Sequence, residues 1–303
     1  MFVPLRIALI ECGLHKEERF FMKKSLLGIL GLGALSLSAL SSCTPSFDNT
    51  KLVIGLECAY APFNWSEQYS NEHTLKVSNK ANLYVDGYDV QIAKILGNKL
   101  GIDVEIHQIE WDSLIPELQF GGINAVIAGM TDTAERRQTI DFTDEYYRSE
   151  LVLVVPADVA SQYSDTLTEQ QFAELINGQM IVSQTQTVTD DVIEIFATKY
   201  GAIHNNPVST FGFAAQDVSE GSAFAMTAEL PVARSIVNAF TNLGIIHIDQ
   251  NILGETQAEL GVSIGIAKGN NDLLTKLNQA LSEISITQRN ELMEEAVNRS
   301  TSY

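Results

Sequence analysis

The sequence predicts an α/β fold built as two similar units. Strand-like and helix-like segments alternate at a spacing that suits parallel sheets with helices packed on their faces. The alternation starts again after a strong β run, LVLVVP at residues 151 to 156, which leaves the first unit. Polar motifs follow the strands at their carboxyl ends, where open α/β sheets bind ligands.

In the first unit, LVIGLE reads as a buried strand, and GYDVQIAKILGNKLG, residues 87 to 101, has apolar residues at helical spacing and a glycine stop. VEIHQIEW is a second strand, SLIPELQFGG a short helix and NAVIAGM a third strand. In the second unit, TLTEQQFAELING is an amphipathic helix opened by a threonine cap, and QMIVSQT is a strand. VTDDVIEIFATKYG is a helix with acidic residues in its first turn, AFAMTAEL ends strand-like, and PVARSIVNAF follows. IIHID and GVSIGIAKG are strands, and NDLLTKLNQALSEI and TQRNELMEEAV are helices.

Composition narrows the function classes. With 303 residues, 45% hydrophobic and 19% charged, the chain can bury one large core or two smaller ones, which excludes a disordered or fibrous protein. A net charge of −19 argues against nucleic acid as a partner, because no basic patch survives such an excess.

The N-terminus is more specific. From Met22 the chain reads MKKSLLGILGLGALSLSALSSC, a secretory signal pattern too short to span a bilayer. Its last residues, Leu40, Ser41, Ser42 and Cys43, resemble the lipobox of bacterial lipoproteins, which implies a diacylated Cys43 anchoring the mature protein to the outer face of the cytoplasmic membrane. An ordinary signal peptide with an incidental cysteine is the alternative. Residues 1 to 21 do not extend the pattern and are taken as an over-called start, and residues 44 to 50 as a polar tether. Cys12 lies in the leader, so Cys58 has no partner in the mature chain and is expected as a small buried hydrophobe.

The strand-end motifs carry the candidate chemistry. AGMTDTAERR offers backbone N–H groups after Gly129, a hydroxyl at Thr131 and a guanidinium at Arg136 able to grip a carboxylate with two parallel hydrogen bonds. QTQTVTDD opens a helix at Thr187 with the amides of Val188 and Thr189, which favours an anion. Glu229 in AELP can face a cation such as an α-ammonium group. Each stretch alone is also ordinary helix-start grammar. LECAYAPFNW places Glu57 beside three aromatics and a proline, and of the aromatics Phe63 and Trp65 are expected in the core. No metal-ligand spacing, phosphate loop or Ser/His/Asp arrangement stands out, so no cofactor or metal is expected.

Taken in order, LECAYAPF, GYDVQIAK, WDSLIPELQ, AVIAGMTDTAERR, IDFTDEYY, QTQTVTDD, AELPVA and IAKGNNDLLTKLNQAL resemble the family 3 extracellular solute-binding proteins of polar amino-acid ABC transporters. The resemblance runs from about residue 51 to the C-terminus. It implies the type II periplasmic-binding fold, two α/β lobes joined by two crossing strands near LVLVV and IGIAK. Lobe one is expected over 51–152 and 246–303, and lobe two over 153–245. It also implies a non-enzymatic monomer that closes on an amino acid and delivers it to the transmembrane subunits of a permease. The rivals are a dehydratase of a prephenate-like acid on the same fold and a ligand-sensing domain.

For the site, the resemblance assigns the ligand carboxylate to Arg136, with contacts from Gly129, Met130, Thr131, Thr187 and the Val188 N–H, and the α-ammonium to Glu229. Glu57 matches the position that reads the side chain, Tyr60 the aromatic stacked on it, and Trp111 the opposite wall. A carboxylate between aromatic faces suits a basic amino acid, with glutamine next. Two departures stand out. Residues 66 to 86 exceed the family's short hairpin, so they either cover the cleft mouth or form a loop, and Gln186 stands where relatives carry glycine.

Overall fold

The computed structural model describes residues 50–300, so the signal sequence and the lipid attachment expected at Cys43 lie outside the described residues. Strand β1 (Lys51–Leu56) leads through the short strands β2 (Ala59–Tyr60), β3 (Asn64–Glu67), β4 (Leu75–Lys76) and β5 (Tyr84–Asp86) to helix α1 (Tyr88–Leu100) and β6 (Asp103–Gln108). Helix α2 (Leu114–Phe120), β7 (Ala125–Val126) and the long β8 (Ile140–Arg148) follow. The second unit holds β9 (Leu151–Pro156), α3 (Ala157–Ala160), α4 (Glu169–Ile176), β10 (Met180–Val182), α5 (Val188–Tyr200) and β11 (Ile203–His204). It continues through α6 (Phe211–Glu220), β12 (Ala225–Glu229), α7 (Leu230–Ala239) and β13 (Leu243–His247). Strand β14 (Gly261–Ala267) returns to the first sheet, ahead of α8 (Asn271–Ser282) and α9 (Ile286–Arg299).

Each lobe is a five-stranded sheet, ordered β6-β1-β7-β14-β8 in the first and β11-β10-β12-β9-β13 in the second. The sheets are mixed rather than purely parallel. β1 runs parallel to β6 and β7, and β10 to β11 and β12, whereas β14 and β9 pair antiparallel with both of their neighbours. The antiparallel strands are those by which the chain enters the second lobe and re-enters the first. A chain that crosses out of a sheet and back cannot keep the direction set by its βαβ units.

The crossings fall between Arg148 and Leu151 and between Leu260 and Gly261. Leu151, Val152 and residues 246 to 260, expected in lobe one, therefore sit with the second sheet. Leu151, Ile246, Ile248, Ile252, Leu253 and Leu260 are buried in one cluster with Phe172, Ile181 and Phe196 of that lobe. The other large cluster fills the first lobe and continues onto the face of the second sheet covered by α6 and α7. Phe63 and Trp65 are core residues as expected, and burial pushes the Cys58 thiol up to about 12, which keeps it protonated and inert.

Residues 66 to 86 neither cover the cleft nor form an open loop. They fold into β3, β4 and β5, and Val77 bridges in parallel to Ile106, sheltering the edge strand β6 of the first sheet. Lys94 and Gln91 of α1 hold the carbonyls of Glu72 and His73. The apolar positions of this stretch are too widely separated to announce strands only two to four residues long.

Helix starts follow local grammar. Thr187, Thr210, Ser285 and Asn270 each accept a backbone N–H of their own first turn, and Thr168 forms a full capping box with Gln171. Gly87, ahead of α1, has φ 138°, and a Cβ there would lie 2.1 Å from the carbonyl oxygen of Phe63. Gly87→Ala is expected to cost roughly 3 kcal/mol or more, since backbone must move and the conformation is strained for an L side chain. Urea unfolding checks this, and a loss under about 1 kcal/mol would contradict it.

Candidate functional site

The strand ends of both lobes converge on a cavity. Its walls include Glu57, Tyr60, Trp111, Gly129, Thr131 and Arg136 from the first lobe and Thr187, Val188 and Glu229 from the second, nine of the ten residues singled out in the sequence. Met130 is the exception. Its side chain is buried in the core beside the cavity, its carbonyl accepts the Ser263 N–H, and it faces a separate surface hollow. Gln184 and Phe211 line the cavity without having been singled out, and Thr189, named above for its amide, lines it as well. Gln184 and Thr189 both lie inside the quoted QTQTVTDD stretch, whereas Phe211 opens a helix whose FGF start carries no ligand signal.

The first lobe presents a buried carboxylate and an aromatic wall. Glu57 follows β1 directly, is 7% exposed, and accepts a hydrogen bond from Gln184 Nε2 at 3.0 Å. The other N–H of that amide goes to the Ser209 carbonyl at 2.9 Å, which fixes the side chain. Desolvation raises Glu57 from the usual carboxylate range to about 7, and the Gln184 bond pulls the other way. Tyr60 lies between Phe63 and Phe211, with centroids 5.0 and 4.8 Å away, and its hydroxyl donates to Glu229 Oε2 at 2.6 Å. Burial raises Glu229 as well, while Tyr60, its own N–H and Arg136 draw it down.

Arg136 stands at the opposite end. Its two terminal nitrogens donate to the Thr131 carbonyl at 2.7 Å and the Gln186 carbonyl at 2.8 Å, one in each lobe. Its guanidinium sits 5.3 Å from the Trp111 ring, and the indole N–H donates to the same Gln186 carbonyl at 3.2 Å. Trp111 thus backs Arg136 as well as walling the cavity. Gln186 has φ 58°, so the chain keeps the left-handed turn that glycine would adopt freely, at a cost of about 1–2 kcal/mol. That turn aims its carbonyl at both donors.

Two hydrogen-bond donors expected at the site have partners inside the protein. The Gly129 N–H goes to Tyr146 Oη at 2.9 Å, and the Thr187 hydroxyl donates to the Gln184 carbonyl at 2.7 Å. The N–H groups of Val188 and Thr189 remain in the first turn of α5, where a helix has no intrahelical acceptor and favours an anion. Among the described residues, no histidine lines the cavity. Among the described residues no group of acidic, histidine or cysteine side chains has metal-binding geometry.

The raised carboxylates set a pH dependence. Glu57 binds its proton more tightly folded than unfolded, so between about 4.5 and 7 the folded state carries more protons and stability falls as pH rises. The shift corresponds to roughly 3 kcal/mol lost by pH 8, and Asp89, raised by burial to about 7, acts in the same direction. Without ligand, Glu57→Gln is expected to flatten the fall in unfolding temperature between pH 5 and pH 8. An unchanged slope would remove Glu57 as its source.

Residues 52–296 match the family model of bacterial extracellular solute-binding proteins, family 3. The chain is a family 3 solute-binding protein. It is 28% identical over 269 residues to the L-arginine-binding protein of Pseudomonas aeruginosa, covering 84% of this chain and 89% of that one. It is 32% identical over 146 residues to the arginine-binding extracellular protein ArtP of Bacillus subtilis, a match spanning 46% of this chain and 51% of ArtP. Among solved structures, a Streptococcus pneumoniae amino acid ABC transporter substrate-binding protein, AbpA, bound to L-arginine, superposes with TM-score 0.67 at 20% identity, over 84% of this chain and 98% of that one. This family 3 protein therefore has the type II periplasmic-binding fold, as its motif order implied. No helix among the described residues is long and apolar enough to cross a membrane.

Proposed function

We propose that this family 3 protein is the binding component of an ABC importer, closing its lobes on a cationic L-amino acid, arginine foremost, and handing it to the permease's transmembrane subunits. The observation that carries the reading is the charge set of one buried cavity: carboxylates at Glu57 and Glu229 against the single guanidinium of Arg136. Charges taken out of water need partners, and an amino acid with two cationic ends and one carboxylate supplies them in matching number. In this reading the α-carboxylate meets Arg136 and the Val188 and Thr189 amides, and the α-ammonium meets Glu229. The side-chain cation meets Glu57, beside Gln184 and the aromatic walls. Relatives named for arginine support the same assignment. With Glu57 protonated, glutamine is the next ligand to fit.

The protein is proposed to bind without catalysis, a reading supported by relatives named as binding proteins. It acts as a monomer held to the membrane through a lipid on Cys43. A ligand bridging the lobes shifts them toward the closed form only by its differential affinity for that form. Thermal unfolding screened against the twenty amino acids tests the reading. At a hundred times Kd, arginine, lysine or histidine should add about 2.7 kcal/mol. No shift with any amino acid, or turnover of a prephenate-like acid, would overturn it.

A further inference from the structure

We propose that Asp89 is a positioning residue for the ligand site: from behind the cavity its carboxylate fixes, through Asn64 and Tyr146, the two backbone segments, 57–60 and 129–131, that face the ligand. This rests on the cavity being the ligand site, and not on which amino acid enters it.

Asp89 lies in the first turn of α1, wholly buried, and does not line the cavity. Its Oδ2 accepts Asn64 Nδ2 at 2.9 Å and its Oδ1 accepts the Tyr146 hydroxyl at 2.7 Å. Asn64 Oδ1 accepts the Cys58 N–H at 2.8 Å, and Tyr146 Oη accepts the Gly129 N–H at 2.9 Å. The chain of bonds begins at both ends with a backbone donor. Asn64 and the tyrosine hydroxyl each accept one proton and pass one on, so two donors arrive at the centre from opposite sides. A carboxyl group, with an acceptor on each oxygen, meets both donors, and its ionised form does so with no proton of its own in the way. An asparagine at 89 would turn an N–H toward one of the two donors.

Both ends of this chain lie at left-handed backbone. Cys58 has φ 61° and Gly129 φ 59°, and an ideal Cβ on Gly129 would lie 2.6 Å from Tyr60 Cε1. The two segments touch where Tyr60 enters the cavity, so a small shift of either moves the ring whose hydroxyl reaches Glu229. Tyr88 stiffens the arrangement, stacking on Tyr146 at 5.8 Å and donating to the Tyr146 carbonyl at 2.8 Å.

The test compares Asp89→Asn, Tyr146→Phe and a control, Phe172→Leu, which loosens the core of the second lobe. Two quantities are read on the purified protein: Kd for arginine by calorimetry, and exchange of the Cys58 and Gly129 amides without ligand. Asp89→Asn should weaken binding roughly tenfold or more and lose protection at both amides. Tyr146→Phe should do so at Gly129 alone. Phe172→Leu should lower the unfolding temperature yet bind as wild type does, which separates positioning from general stability. Should Asp89→Asn fail to fold, Tyr146→Phe decides alone. Unchanged Kd with both amides still protected would overturn the proposal. If the wild-type protein binds no cationic amino acid, the function proposed above fails, and the amide exchange still decides whether Asp89 holds the two segments.

Discussion

Arg136→Ala is expected to abolish the thermal shift given by a cationic amino acid, a loss of affinity of at least about a hundredfold. Truncating one member of a buried, hydrogen-bonded charge pair costs about 3–5 kcal/mol, because the partner's charge stays behind without compensation. Here the partner would be the ligand carboxylate. The side chain has a second task, since its fork already joins the Thr131 carbonyl of one lobe to the Gln186 carbonyl of the other. Its removal therefore costs contacts across the cleft as well as the grip. Arg136→Lys should recover little, because one ammonium cannot hold two planar acceptors in fork geometry. Titration calorimetry on both variants checks this, and an affinity within about tenfold of wild type for Arg136→Ala would move the carboxylate elsewhere.

Glu57→Gln is expected to reverse the preference between charged and neutral ligands. Arginine should lose roughly a hundredfold at pH 8, while glutamine keeps or improves its affinity, since the cation alone needs the opposing charge. The wild-type protein should show the same coupling through protons. With Glu57 near 7 before binding, a cation that holds it ionised must expel the proton from the fraction that carries one. The complex then binds fewer protons than the free protein, so affinity rises with pH and levels off once Glu57 is ionised in both. Between pH 6 and pH 8 the gain is about tenfold. Calorimetry near pH 7 in buffers of different ionisation enthalpy should detect release of a fraction of a proton on arginine binding. A pH-independent Kd, or arginine affinity untouched by Glu57→Gln, would place the side-chain cation away from Glu57.

Much of this was legible in the order of residues. A carboxylate at the end of the buried run LVIGLE has no use in a core, and the structure puts Glu57 at the wall of the cavity. Thr187 reads as a helix start and is one. Arg136 opens a short turn, Arg136–Gln138, in the segment that follows β7. Other features were not legible. The strands between residues 64 and 86 are too short for their periodicity to register, and helix α6 begins with an FGF stretch in which neither helical spacing nor a ligand contact is evident. The lobe boundary near 246 slipped because IIHID and GVSIGIAKG look alike as strands, and only pairing assigns one to each sheet.

By itself, the sequence determined the fold class, the two-lobe plan and the family, because periodicity, caps and the linear order of motifs are local properties written along the chain. Tertiary structure decided which groups face one another across the cleft. It brought Gln184 to Glu57, Tyr60 to Glu229, and the Gln186 carbonyl to both Arg136 and Trp111. It also set the protonation of Glu57, since a carboxyl group's affinity for its proton depends on the water removed around it and on partners far away in sequence.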